Sequence, residues 1–454
     1  VARVRGDEAA ARAGLDAERA ATLHEARLAM SAETVSFLHA VLEQSIAVVG
    51  ADAAVGRHAA ESHVRSVDAL DAAIQAEGLA YYVDAEVLVE GATGQHRVYL
   101  STFTVENVTI YAAEERTVRA LRLRRLDTLN FARAVLGFTR PQVRDALVLM
   151  ERVEEHLVQA IVPALADGGA MPIGGEDVGG SELLLGVGRV AAQGVREEAA
   201  GWMGGDGARA YELGALLERR HAFFTSWSER LLDRGIVLRE PDTYVIERAR
   251  YAALESALTP GERRDLDALI AGLAEEEHQR TYRAIESRFV QSIERHEVQH
   301  RLDFEMGTLG TMPPRLEAMV GPLRRGDLVN LLAQRSNAEL SAYLSELARD
   351  ATIARANLAL LVRNLFDVRL WGTPECYAAL VVLEGLADRM GLAHGPLVVA
   401  HAIDRAEVAR AHLALAARPD EELRASAAQL WQDLYGRPLP VLRNTGASAP
   451  IWAP

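Results

Sequence analysis

Cysteine is almost missing from this 454-residue chain, and Cys376 stands alone. One thiol allows no intramolecular disulfide and no cysteine-based zinc site. Basic residues are outnumbered, 49 against 64 acidic ones, giving a net charge of −15. Such a chain repels phosphate backbones, so nucleic acid is not an expected partner. The one short basic run, "RALRLRRLD" (Arg119 to Asp127), alternates with leucines and reads as a strand or a solvated helix face. No stretch of about 18 uncharged apolar residues occurs, so no transmembrane segment is expected. The first residues, "VARVRGDEAA", hold neither an initiator Met nor an apolar signal core. The expectation is a soluble chain, cytoplasmic or exported with its signal removed.

What remains is 49% hydrophobic and 25% charged, which suits a globular protein with a large core. The length allows two to four domains. Residues 1–75 are rich in Ala, Glu and Arg and read as helical, with Ser31 a candidate N-cap for the stretch to Val49. In residues 76–130, Val83, Ala85, Val87 and Val89 alternate with polar partners. The turn "GATGQ" then reverses the chain into Val98 to Val105, so a β-hairpin or small sheet is expected.

Residues 131–234 return to helical texture, with Pro141 at a helix start and a glycine-studded flexible segment at 167–207. Residues 235–251 suggest a further strand, and 235–435 otherwise read as helical, before a Pro/Gly-rich tail at 436–454. No fixed-period repeat is visible. The fold class expected is mainly α with a small antiparallel β-sheet (α+β).

Thirteen histidines are present, and two of them lie four apart in "SIERHEVQHRLDF" (Ser292 to Phe304). Upstream, Thr259, Pro260 and Glu262 have the pattern of a capping box, and Gly272 allows either one helix or two. Ile285, Phe289 and Ile293 form an apolar stripe at helical spacing. Continued, that stripe meets His296, Glu297, His300 and Phe304, before a stop at Gly307. Burying these ionisable groups unpaired would cost several kcal/mol. A metal ion offsets that cost, because imidazoles at i and i+4 can reach a single tetrahedral Zn²⁺. Glu297 then sits beside the metal, where it can move a proton. The plainer reading is two hydrogen-bonded histidines on a half-buried helix.

A catalytic zinc needs a third protein ligand. "GDLVNLLAQRSNAELSAYLSELARD" (Gly326 to Asp350) reads as one helix with Asp327 as N-cap. Glu339 shares a face with Leu328, Leu332, Ala342 and Tyr343, so it is the first choice. Ala342 would let two helices approach closely. Glu346, seven residues on, is the alternative. Asp303 lies about 10 Å along the helix from His296 and suits a supporting role for His300.

"HEVQH" (His296 to His300), with "ELSAY" (Glu339 to Tyr343) downstream, resembles the gluzincin zinc peptidases over roughly residues 280–350. The resemblance implies a zincin-like helical catalytic region, Zn²⁺ held by His296, His300 and Glu339, and Glu297 as general base. It implies a zinc metallopeptidase acting on a peptide or protein substrate. It also implies an edge strand to align that substrate, for which residues 235–251 or the earlier hairpin are candidates. A transition-state electrophile is implied too, with Tyr343, His394 and His401 as candidates. The chain departs from the common Glu-x-x-x-Asp pattern: Tyr343 stands where the Asp would, whereas "ELARD" (Glu346 to Asp350) fits the spacing. The alternative function is a helical scaffold with a structural or catalytically inactive metal site.

Overall fold

The computed structural model describes residues 8–49, 57–90, 95–126, 135–139, 143–166, 168–173, 182–202, 207–349 and 353–448. Among these, the fold is mainly α, with a small sheet that contains antiparallel strand pairs. The chain divides into two compact units. One holds residues 1–110, 121–134 and 446–454, and the other holds 111–120 and 135–445.

The first unit contains helices α1 (Glu8–Ala29), α2 (Ala32–Val49) and α3 (Arg57–Ala76). Ser31 caps α2, its hydroxyl accepting from the Thr34 backbone N–H at 3.2 Å. Strand β1 (Tyr81–Glu90) pairs antiparallel with β2 (Gln95–Ala113), from Tyr81 opposite Thr104 to Glu90 opposite Gln95. The "GATGQ" reversal centres on residues 91–94, which lie outside the described residues. The predicted alternation has a physical basis. Ala85 and Val98 are buried with Val67, Leu70 and Ile74 of α3, and Val83 and Val87 pack against them. Strand β3 (Arg116–Arg125) follows a turn at Glu114 and Glu115, so the leucine-alternating basic run is largely a strand.

The second unit takes the tip of the β2–β3 hairpin, Tyr111–Ala120. Strands β4 (Gly137–Phe138) and β5 (Ala146–Leu149) pair antiparallel, with β4 at the sheet's edge. All four residues of β5 are buried. The expected helix start at Pro141 lies outside the described residues, and helix α4 begins only at Met150 (Met150–His156). The glycine-rich stretch 167–207 is not one flexible segment. Residues 182–202 within it form helix α5 (Glu182–Trp202). Leu184, Val187, Ala191, Val195 and Ala199 recur at helical spacing and are buried, which outweighs the low helix propensity of its glycines. Gly188 is needed for packing, because a Cβ there would lie 2.5 Å from the Met171 carbonyl oxygen.

Helix α6 (Gly207–Leu232) leads into residues 235–251, where the expected strand is absent. The chain there is irregular and ends in a 3₁₀ turn at Arg248–Tyr251. Helix α7 (Pro260–Ala274) has the predicted capping box between Thr259 and Glu262. The helix breaks at Glu275, where ψ is 132°, rather than at Gly272, and α8 (Glu276–Met306) then runs 31 residues. Gly307 ends α8 in the left-handed conformation, at φ 65°.

Helix α9 (Pro314–Val320) precedes a short hairpin of β6 (Arg324–Arg325) and β7 (Leu328–Val329). The predicted single helix from Gly326 therefore begins later, as α10 (Leu331–Arg349). Gly326, at φ 62°, makes the hairpin turn, and Asn330 rather than Asp327 caps the helix by accepting from the Ala333 N–H. Leu328, expected on the core face, is 76% exposed on the hairpin.

Four more helices complete the unit: α11 (Ala354–Phe366), α12 (Pro374–Arg389), α13 (Arg405–Ala416) and α14 (Asp420–Tyr435). A second hairpin, β8 (Val398–Val399) with β9 (Ala402–Ile403), links α12 to α13, and β10 (Arg443–Ser448) is the last element among the described residues. The two hairpins share a local sequence, "GPLRRGDLVN" (321–330) and "GPLVVAHAID" (395–404). In each, the Leu carbonyl accepts from the backbone N–H seven residues on, Leu323 from Asn330 and Leu397 from Asp404, and that residue's side chain caps the next helix.

His412 on α13 is 1% exposed, and neither ring nitrogen has a hydrogen-bond partner. Burial pushes its pKa down from 6.5 to about 4. The folded state thus favours the neutral ring. Its contribution is intact above pH 6.5 and is lost as pH falls from 6.5 towards 4, by on the order of 3 kcal/mol. His412→Leu is therefore expected to lose less of its urea midpoint than the wild type over that interval. Parallel midpoint curves for the two proteins would contradict this.

Candidate metal centre

Two helices build the cluster. On α8, Ile285 and Phe289 are buried and Ile293 packs beside them, as the apolar stripe requires. The same stripe turns His300 and Glu297 inward, 6% and 5% exposed. Facing it, α10 presents Glu339. Ala342, one turn further on, is fully buried, and α8 packs directly against α10.

Ligand atoms of His296, His300 and Glu339 all lie within 4.8 Å of one another. One Glu339 oxygen is 3.4 Å from His296 Nε2, and the other is 3.6 Å from His300 Nε2. Both separations exceed the usual N–H···O length of about 2.9–3.0 Å. They leave the three groups close enough to share an ion without already being hydrogen-bonded at full strength. The donor set is also chemically apt, two imidazoles and one carboxylate. The residues therefore fit a divalent ion.

Glu346 approaches His296 from the other side. Its Oε2 is 3.1 Å from His296 Nδ1, and its Oε1 accepts from the Ser292 hydroxyl at 3.2 Å. A carboxylate on Nδ1 favours the proton there, which would leave the Nε2 lone pair to an ion held with Glu339. The two glutamates thus have different roles. Glu339 faces the point of convergence, and Glu346 orients one imidazole. Asp303 does not support His300. It accepts from Gln299 at 2.8 Å, while His300 Nδ1 has no partner.

Among the protein groups alone, the cluster is strongly polarised. Burial opposes charge on His296, but Glu339 and Glu346 outweigh it and raise its pKa well above the usual value. His300 is lowered to about 4, mainly by burial, with Glu339 opposing. Burial would raise Glu339, yet the two histidines hold it below its ordinary value. The carboxylates thus favour positive charge on the imidazole between them. A divalent ion answers their negative charge with both imidazoles neutral.

Glu297 is raised to about 7, chiefly by burial and against the pull of His296 and Thr139. Its Oε2 accepts from the Thr139 hydroxyl at 2.9 Å. Thr139 follows β4, so the edge strand next to α8 is β4 rather than residues 235–251. Gly137 of β4 lies against the same carboxylate. Sequence reasoning missed both residues, which are about 160 positions from Glu297 and carry no local motif. Ser292 was also missed, although it lies four residues before His296 and so on the same helical face.

Of the candidate electrophiles, Tyr343 is beside the cluster. Its ring meets His296 edge-on, with centroids 5.2 Å apart, and its hydroxyl accepts from Asn364 at 3.2 Å. His394 bonds Asp388 and the Gly395 carbonyl instead. His401 is exposed in the β8–β9 turn, at φ 65°.

Compared with known proteins, the chain matches no family model, no curated protein and no solved structure.

A Cβ at position 137 would lie 2.8 Å from Glu297 Cγ and Oε1 and 2.6 Å from the Leu147 carbonyl oxygen. Gly137→Ala is therefore expected to destabilise the protein by about 1–3 kcal/mol, since the carbonyl is backbone and cannot yield cheaply. Denaturant unfolding checks this. An unchanged midpoint would show that β4 shifts without cost.

Proposed function

We propose that the protein is a zinc-dependent metallopeptidase. The observation that carries this reading is the gathering of ligand atoms from two imidazoles and one carboxylate within 4.8 Å of one another, with an inward glutamate next to the first histidine. His296, His300 and Glu339 hold the ion. When bound, zinc supplies Lewis acidity, which acidifies water and polarises a carbonyl.

The remaining roles belong to the chain's own groups. Glu297 takes the proton of the attacking water at a carboxylate oxygen and passes it to the leaving amine nitrogen. Thr139 orients the carboxylate through its bond to Oε2. Glu346 holds the proton on His296 Nδ1 and so keeps the opposite nitrogen available. The position of β4 at the sheet's edge and against α8 supports this reading, because an edge strand can pair with an extended peptide main chain.

The second reading, a helical scaffold with a structural metal site, draws on the burial of Glu297. That side chain is 5% exposed and lies under Thr139 and Gly137. One comparison separates the two. In the peptidase, Glu297→Gln keeps stoichiometric zinc and lowers peptide hydrolysis by about 10²–10⁴-fold, whereas His296→Ala loses both. Metal analysis with a fluorogenic peptide library measures each. A wild type that binds zinc but cleaves no peptide supports the scaffold.

A further inference from the structure

The hydrogen bonds of Glu346 do not end at Ser292. Ser292 Oγ in turn accepts from the Asn357 side-chain N–H at 2.8 Å. Asn357 lies on α11, Ser292 on α8 and Glu346 on α10, so three helices contribute to one chain ending at His296 Nδ1. Both outer members are shut away from solvent, Ser292 at 1% and Asn357 at 4% exposure.

The direction of each bond follows from charge. Glu346 is acceptor-only when ionised, so the single hydroxyl proton of Ser292 points towards it. The Ser292 oxygen is then left with lone pairs, and only a donor can satisfy it. Asn357 must therefore present its NH₂ group, which fixes its amide orientation. Its carbonyl oxygen has no hydrogen-bond partner of its own. A buried amide with an unsatisfied oxygen is costly at about 1–3 kcal/mol. An amide placed only for packing is more cheaply built as Leu, so this one is placed for what its N–H does.

We propose that Asn357 and Ser292 are positioning residues for the metal centre. Asn357 directs the Ser292 hydroxyl, the hydroxyl directs Glu346, and Glu346 holds His296 ready to bind the ion. α11 therefore helps set the metal affinity although it supplies no ligand. This inference rests on the metal-site reading and adds to it a dependence on a helix that no ligand occupies.

The test is zinc affinity of the full-length protein by chelator competition at fixed pH. The proteins compared are wild type, Ser292→Ala, Asn357→Leu, the double variant and each change in a Glu346→Gln background. Loss of a supporting partner is expected to weaken binding by about tenfold for Ser292→Ala, at the low end of what such groups contribute. Asn357→Leu should weaken it in the same direction. The double variant should be no weaker than Ser292→Ala, because Asn357 acts only through that hydroxyl. In the Glu346→Gln background neither change should matter. Thermal unfolding confirms that each variant folds, and if Ser292→Ala does not, Asn357→Leu against Glu346→Gln makes the same comparison. Unchanged affinity in the single variants overturns the proposal, as does a double variant whose loss is the product of the two single losses. A wild type that holds no zinc overturns the metal-site reading itself.

Discussion

The facing of α8 and α10 is the contact on which the rest depends. It places the Glu339 and Glu346 carboxylates opposite His296 and His300 in an interior where no unpaired charge is cheap. The contact is possible because α10 is narrow where it must be. Ser336, Ser341, Ala342 and Ser345 are all fully buried. Their small side chains let α10 pack against α8, α12 and α14 at once. The Ser341 hydroxyl also serves as an anchor, accepting from Trp431 Nε1 of α14 at 2.9 Å. One helix is therefore both the central packing element and the bearer of the acidic groups.

Behind the cluster, a second polar layer fixes the same helices. Gln299 donates to Asp303 and accepts from Arg349 at 2.9 Å, and Arg349 also bonds Ser345 and the Pro440 carbonyl. Tyr435 donates to Asn337 Oδ1 at 3.0 Å, and Asn337 in turn holds the Thr311 carbonyl. Directional bonds of this kind restrict sliding that apolar packing alone would tolerate. The spacing between imidazoles and carboxylate is thus set by structure well away from it.

Legibility in the sequence followed the range of the interactions. The capping box at Thr259, the stop at Gly307 and the β1–β2 hairpin were readable, because turn, cap and alternation are local chemistry. The inward set of His296, Glu297 and His300 was readable from the apolar stripe. Glu339 could be singled out only as an acidic residue on an apolar face, and what distinguishes it from Glu346 is tertiary: one faces Nε2 and the other Nδ1. The hairpin at 324–329 was hidden by leucines with helical spacing, and α5 by its glycines. Thr139 and Gly137 were beyond reach, since only the folded sheet brings them to Glu297.

The twice-used "GPL" hairpin has a consequence for how this chemistry is distributed. Nine residues beyond Asn330 stands Glu339, and nine beyond Asp404 stands Leu413. The same entrance, with the same backbone latch and the same style of cap, therefore launches one helix bearing a charged group and another bearing only hydrocarbon there. The entrance itself does not dictate which side chains the helix carries. In this molecule a carboxylate and a leucine stand at the same place, two and a half turns in from hairpins that share a Gly-Pro-Leu opening and one backbone hydrogen bond.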